Sequence, residues 1–99
     1  MEITTQQNGD AITLSIDGYI DSSTATELES RMHIACNATK NLTINFAKVD
    51  FISSAGLRVL LIAQKALAAK NGRMVIINVN DNVRELFDLT GFSDILTIA

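Results

Sequence analysis

The sequence predicts an α/β fold, a single two-layer domain in which a mixed, mainly parallel β-sheet carries its helices chiefly on one face. Three observations predict it. Two strand-like segments come first, and from there helical and strand-like periodicities alternate to the end of the chain, the pattern of crossover connections in a parallel sheet. No repeat, linker or low-complexity stretch interrupts the 99 residues, so residues 1–99 read as one domain. Two of the strands also keep a polar face, whereas strands covered by helices on both sides read as continuous apolar runs.

Each element has its own local signal. Asn8-Gly9 is a strong hairpin signal that pairs a strand over Glu2 to Gln7 with one over Ala11 to Asp17, where Ile12, Leu14 and Ile16 alternate with Thr13, Ser15 and Asp17. Thr24-Ala25-Thr26-Glu27 has the form of a capping box, and Leu28, Met32, Ala35 and Cys36 continue one helical face behind it. Leu42, Ile44 and Phe46 then alternate with Thr43 and Asn45 in a third strand that feeds a serine-bearing loop. A helix from Ala55 to about Lys70 closes on Asn71-Gly72. Met74 to Val79 is a more continuously apolar strand, Asp81 to Thr90 a third helix closed by Gly91, and Ile95 to Ile98 a last short strand.

Composition excludes several classes of function. A chain of this length buries about 65% of its unfolded surface, and 47% hydrophobic residues supply a real core. The net charge of −3 and pI near 4.9, without a Lys/Arg cluster, argue against nucleic acid and against anionic membrane surfaces as partners. The one cysteine, Cys36, excludes an internal disulfide and reads as a small buried hydrophobe. The one histidine, His33, has no second ligand at metal-binding spacing, so it reads as structural and no metal site is implied. A phosphate-binding glycine loop and a nucleophile elbow are both absent, and a hydrolytic serine would need a general base that only His33 could supply. The expectation is therefore a non-enzymatic domain without a cofactor. A polar segment follows Met1 and no 18-residue apolar run occurs, which places the expected compartment in the cytoplasm.

The most distinctive segment runs from Val49 to Ile62, where Ser53, Ser54 and Gly56 stand between a polar loop and an apolar helix. A helix start offers unpaired N–H groups and the positive end of the macrodipole, so a negative charge on either serine would be stabilised there. That suits a phosphorylation switch, and it equally suits a plain N-cap. Two details weigh against the plain cap: no Glu or Gln stands three residues beyond either serine, and Gly56 costs about 1 kcal/mol against alanine in a first helical turn. The glycine implies that something approaches the backbone closely.

Phe51-Ile52-Ser53-Ser54-Ala55-Gly56-Leu57-Arg58-Val59-Leu60-Leu61 resembles the signature of the STAS domain in its anti-sigma factor antagonist branch. Gly18-Tyr19-Ile20-Asp21-Ser22-Ser23-Thr24-Ala25 resembles a second family stretch, and Val83 to Phe92 its late helix and turn. The resemblance implies that Ser54 is the phosphoacceptor, with Ser53 in place of the family's aspartate, Ala55 at its second hydroxyl and Gly56 at its glycine. Tyr19 replaces the usual glutamate, and the chain ends at Ala99, where the family often continues into a further helix. The implied partners are an anti-sigma factor serine kinase, bound when Ser54 is free, and a serine phosphatase, with no nucleic acid and no direct membrane contact. Two other readings stay open: a subunit held permanently by a membrane ABC-type transporter, and a nucleotide sensor in which Gly56 admits a phosphate.

Around that serine, Asp21 has two roles open to it. It is a local acceptor for helix N–H groups, or, if the strand ends share one sheet edge, a carboxylate that orients the acceptor hydroxyl or meets the partner. On the helix after Ser54, periodicity turns Leu57, Leu60, Leu61 and Leu67 to the sheet and Arg58, Ile62, Lys65 and Ala69 to another stripe. Ile62 between two cations is an ordinary exposed apolar residue or the centre of a docking patch.

Overall fold

In a computed structural model describing residues 1–99, a five-stranded sheet lies under three helices. The order along the chain is β1 (Glu2–Asn8), β2 (Ala11–Ile20), α1 (Ala25–Ala38), β3 (Asn41–Ile52), α2 (Ser54–Ala68), β4 (Arg73–Ile77), α3 (Asp81–Thr90), a 3₁₀ turn (Phe92–Asp94) and β5 (Thr97–Ile98). The strands lie side by side in that same order. β1 and β2 are antiparallel, and β2 through β5 are parallel. Because each parallel connection steps to the next strand in one direction, crossovers of the usual right hand place all three helices on one face.

That face is the core. Ile12, Leu14 and Ile16 of β2, Leu42, Ile44 and Phe46 of β3, and Met74 and Ile76 of β4 are all buried. They meet Leu28 and Met32 of α1, Leu60 and Leu67 of α2, and Phe87 of α3, whose ring lies 6.2 Å from that of Phe46. Burying one such side chain is worth about 1.5–3 kcal/mol. The other face, with Thr13, Ser15, Thr43 and Asn45, is half exposed, as the alternation in β2 and β3 predicts.

The strands leading to the serine loop run further than alternation predicts. β2 continues from Asp17 to Ile20 and β3 from Phe46 to Ile52. The register explains why: Ser15 pairs Asn45 but Asp17 pairs Lys48, and Gly18 pairs Val49 but Ile20 pairs Ile52. At both steps β3 carries one extra residue, so the buried series jumps from Phe46 to Val49 and then to Ile52. These bulges bend the strand rim beside the serines, where such irregularities concentrate.

Other boundaries differ for identifiable reasons. The hairpin forms, with Gly9-Asp10 as its central pair and Gly9 at φ +60. β4 stops at Ile77 because Asn78 turns to φ +59, and the last strand shrinks to Thr97–Ile98 behind the 3₁₀ turn. The capping box at Thr24 does not form. Thr24 makes no side-chain cap, and its hydroxyl instead accepts the Asp21 N–H at 2.9 Å.

Candidate functional site

The carboxyl ends of β2 and β3 lie side by side, and each runs directly into a helix: Ile20 into Asp21 and α1, Ile52 into Ser53 and α2. The Ser53 N–H donates to the Ile20 carbonyl at 2.7 Å, closing the gap between the two strand ends. The two serines take different positions. Ser53 is the N-cap, extended at φ −86 and ψ 172, and its hydroxyl accepts the Gly56 N–H at 3.3 Å. Ser54 is the first helical residue; it is exposed, and its hydroxyl takes part in none of the chain's hydrogen bonds. One helix start thus combines a serine spent on structure with a serine left free.

Gly56 explains itself from the inside of the fold. A Cβ there would stand 2.5 Å from Cγ2 of Ile20 and 2.7 Å from Cγ1 of Ile52, both wholly buried. The close approach that the sequence implies at this residue is that of the two strand ends.

Asp21 acts as the acceptor for its own turn. Its Oδ1 takes the Ser23 N–H at 2.9 Å, the Ser23 hydroxyl at 2.7 Å and the Thr24 N–H at 3.0 Å. The hydrogen bond from the Ser23 side chain, followed by that from the Thr24 backbone, holds its carboxyl below the usual 3.8. It stands at the same sheet edge as the serine loop, but this hydrogen-bonding oxygen points into the α1 turn rather than to Ser54.

Ser54 opens onto a groove between the starts of α1 and α2. Ser22, Thr26 and Glu29 line it from the α1 side, and Ala55, Arg58 and Ile62 from α2. Deeper along the two helices a second, more apolar groove shares Glu29, Val59 and Ile62 and continues past Met32 to Cys36 and Ala66. The two make one furrow with Ser54 at its end. Ile62, 47% exposed, sits where they join. Of the residues singled out on α2, Arg58 and Ile62 share the groove with Ser54, whereas exposed Lys65 lies outside it. Cys36 is buried, and burial raises its thiol pKa against the smaller opposing effect of Lys70. His33 is exposed and pairs with Asn37.

Sequence reasoning passed over the α1 wall of the groove, Ser22, Thr26 and Glu29, because small polar and acidic residues on a surface helix carry no signal of their own. It also passed over Phe51. Tyr19 and Phe51 form an exposed edge-to-face pair, ring centres 6.4 Å apart, where the second bulge turns both rings out of the core. An aromatic immediately before the buried Ile52 was the available clue.

No helix is long and apolar enough to cross a membrane. The chain matches the family model of the STAS domain over residues 2–99. It is 29% identical to BtrV of Bordetella bronchiseptica over 100% of its own length and 86% of that protein. With the anti-sigma-B factor antagonist of Staphylococcus epidermidis it shares 27% identity, covering 99% of this chain and 92% of that one. Its fold superposes on the Bacillus cell-fate determinant SpoIIAA in the phosphorylated form with a TM-score of 0.77 at 19% identity, over 99% of this chain and 91% of that one. A family match over residues 2–99 and a fold that superposes over nearly the whole chain lead to one conclusion: this chain belongs to the STAS domain family, among relatives named as anti-sigma factor antagonists.

Proposed function

We propose that this domain is a cytoplasmic anti-sigma factor antagonist whose hold on its partner is set by phosphorylation of Ser54. Unmodified, it binds an anti-sigma factor serine kinase and so frees the sigma factor; phosphorylated, it lets go, and a serine phosphatase resets it. The observation that carries this reading is the division of labour at the start of α2, where Ser53 caps the helix and Ser54 is left exposed and unbonded beside a groove. Relatives named as anti-sigma-B factor antagonists, and a structural relative described in a phosphorylated form, support it.

In this mechanism the domain contributes an acceptor and a surface. ATP, Mg²⁺ and the base that takes the hydroxyl proton belong to the kinase, ADP leaves with it, and no intramolecular hydrogen bond has to be broken to present the acceptor hydroxyl. The new phosphate lies over helix N–H groups that stabilise it, so the domain tolerates a charge that the partner surface does not. The experiment is incubation with the anti-sigma factor kinase and ATP, followed by phosphopeptide mapping. One phosphate on Ser54, absent from Ser54→Ala and retained in Ser53→Ala, is the expected result. A phosphate on Ser53, or none with a kinase that binds the domain, overturns the assignment.

A further inference from the structure

We propose that Arg58 is the intramolecular partner of a phosphate on Ser54, so that phosphorylation both adds an anion to the groove and withdraws a cation from its docking surface. This rests on Ser54 being the phosphoacceptor and names how the modified state is held.

Several independent features converge on Arg58. Ser54 and Arg58 are four residues apart on α2, the spacing that puts two side chains on one helical stripe. Long helical side chains lean toward the helix N-terminus, which carries the Arg58 guanidinium back over the turn that holds Ser54. Both residues line the same groove. Arg58 is exposed and uncommitted: the chain's ion pair is Lys48 with Asp17, and Arg58 makes no hydrogen bond. The other charged residue lining that groove is Glu29 of α1, which cannot pair with a phosphate and repels it. Asp21, at the neighbouring strand end, is turned into its own loop.

The charge balance follows. In the unmodified domain, Arg58 offers the groove its cation and can meet an acidic group on a partner. A phosphate carrying about −1.5 to −2 charges takes that cation in a charge-assisted contact, and the groove is left with Glu29 and residual negative charge. The change felt by an acidic partner group is then larger than the phosphate alone would give, because attraction is lost as repulsion is gained.

The test needs no kinase. Phosphoserine is inserted at position 54 during synthesis of the full chain, and the second ionisation of the phosphate is followed by phosphorus NMR across pH 4 to 8. An Arg58 contact favours the dianion, so Arg58→Gln is expected to raise the second phosphate pKa by about 0.2 to 0.7 of a pH unit. Arg58→Lys is expected to keep part of the shift, and Glu29→Gln to move it the opposite way. All four proteins are compared by their amide spectra, and since Arg58 and Glu29 are exposed, folding is retained. Identical titration curves for Arg58→Gln and the parent overturn the inference. Because the phosphate is already present, that outcome speaks against Arg58 alone, whereas failure of a kinase to modify Ser54 speaks against the proposed function alone.

Discussion

The Ser53 N–H reaches the Ile20 carbonyl at 2.7 Å, and this one backbone bond ties the start of α2 to the end of β2. Ile20 holds the loop a second time through its side chain, which fills the space over Gly56. The position of the exposed serine is therefore set by the packed interior rather than by the loop's own conformation. A charge added at Ser54 is therefore expected to leave that framework in place.

Gly56→Ala tests that packing directly. On helix propensity alone the change should stabilise by about 1 kcal/mol. The added methyl, however, meets Ile20 and Ile52, both rigid, β-branched and buried, and overpacking of this kind costs about 1–3 kcal/mol. A net loss of up to about 2 kcal/mol is expected in urea unfolding. A variant as stable as the parent would mean that the strand ends yield freely and that the close approach does not require glycine.

The two serines should separate by stability. Ser53→Ala removes an N-cap acceptor, which typically costs about 1 kcal/mol, and the 3.3 Å bond puts the loss in the lower part of the usual range of about 0.5–2 kcal/mol. Ser54→Ala removes an exposed, unbonded hydroxyl and should stay within about 0.5 kcal/mol of the parent. Thermal melts of the two variants decide it, and equal losses would contradict the division of labour at the helix start.

How much of this was legible in the sequence depended on whether periodicity ran unbroken. The β2 and β3 alternations through Ile16 and Phe46 gave the core face and the open face directly, and the one-sided helix layer followed. The six residues from Ala47 to Ile52 were not legible as strand, because two bulges change the spacing of buried residues from two to three. Thr24 has the spacing of a capping box, yet Asp21 is placed three residues earlier and captures the same turn with a carboxylate. At the site, Ser54, Arg58 and Ile62 could be brought together from one helix. The α1 wall could not, since which helix packs beside α2 is decided by sheet order and not by any residue on α1.

Asp21 makes stability depend on acid. Its folded pKa lies below its ordinary value of 3.8, held there by the Ser23 side chain and the Thr24 N–H before lesser contacts. The unfolded chain therefore binds the proton more readily, so this contribution is complete above the ordinary value and fades as pH falls through the lower folded value. Melting temperature should fall between pH 5 and pH 2.5 by less in Asp21→Asn than in the parent, because the amide keeps an acceptor oxygen and cannot titrate. Parallel acid profiles for the two proteins would remove Asp21 as a contributor.

Partner affinity should record the phosphate most strongly of all. A dianion on a docking surface loses water on association, and a buried charge that the partner does not match costs about 2 to 5 kcal/mol. With about 1.4 kcal/mol per factor of ten, phosphorylation of Ser54 is expected to weaken the complex with the anti-sigma factor by roughly thirtyfold to a few thousandfold. Ser54→Ala should bind as the unmodified domain does and stay bound when ATP is added. Ile62→Asp, which puts a charge on a side chain 47% exposed where the two grooves join, should weaken binding without loss of folding. Titration calorimetry against the isolated partner reads all three, and the ordering matters as much as the sizes. If the free and phosphorylated domains bound equally while Ile62→Asp still bound poorly, the groove would be a permanent docking surface and Ser54 no switch within it.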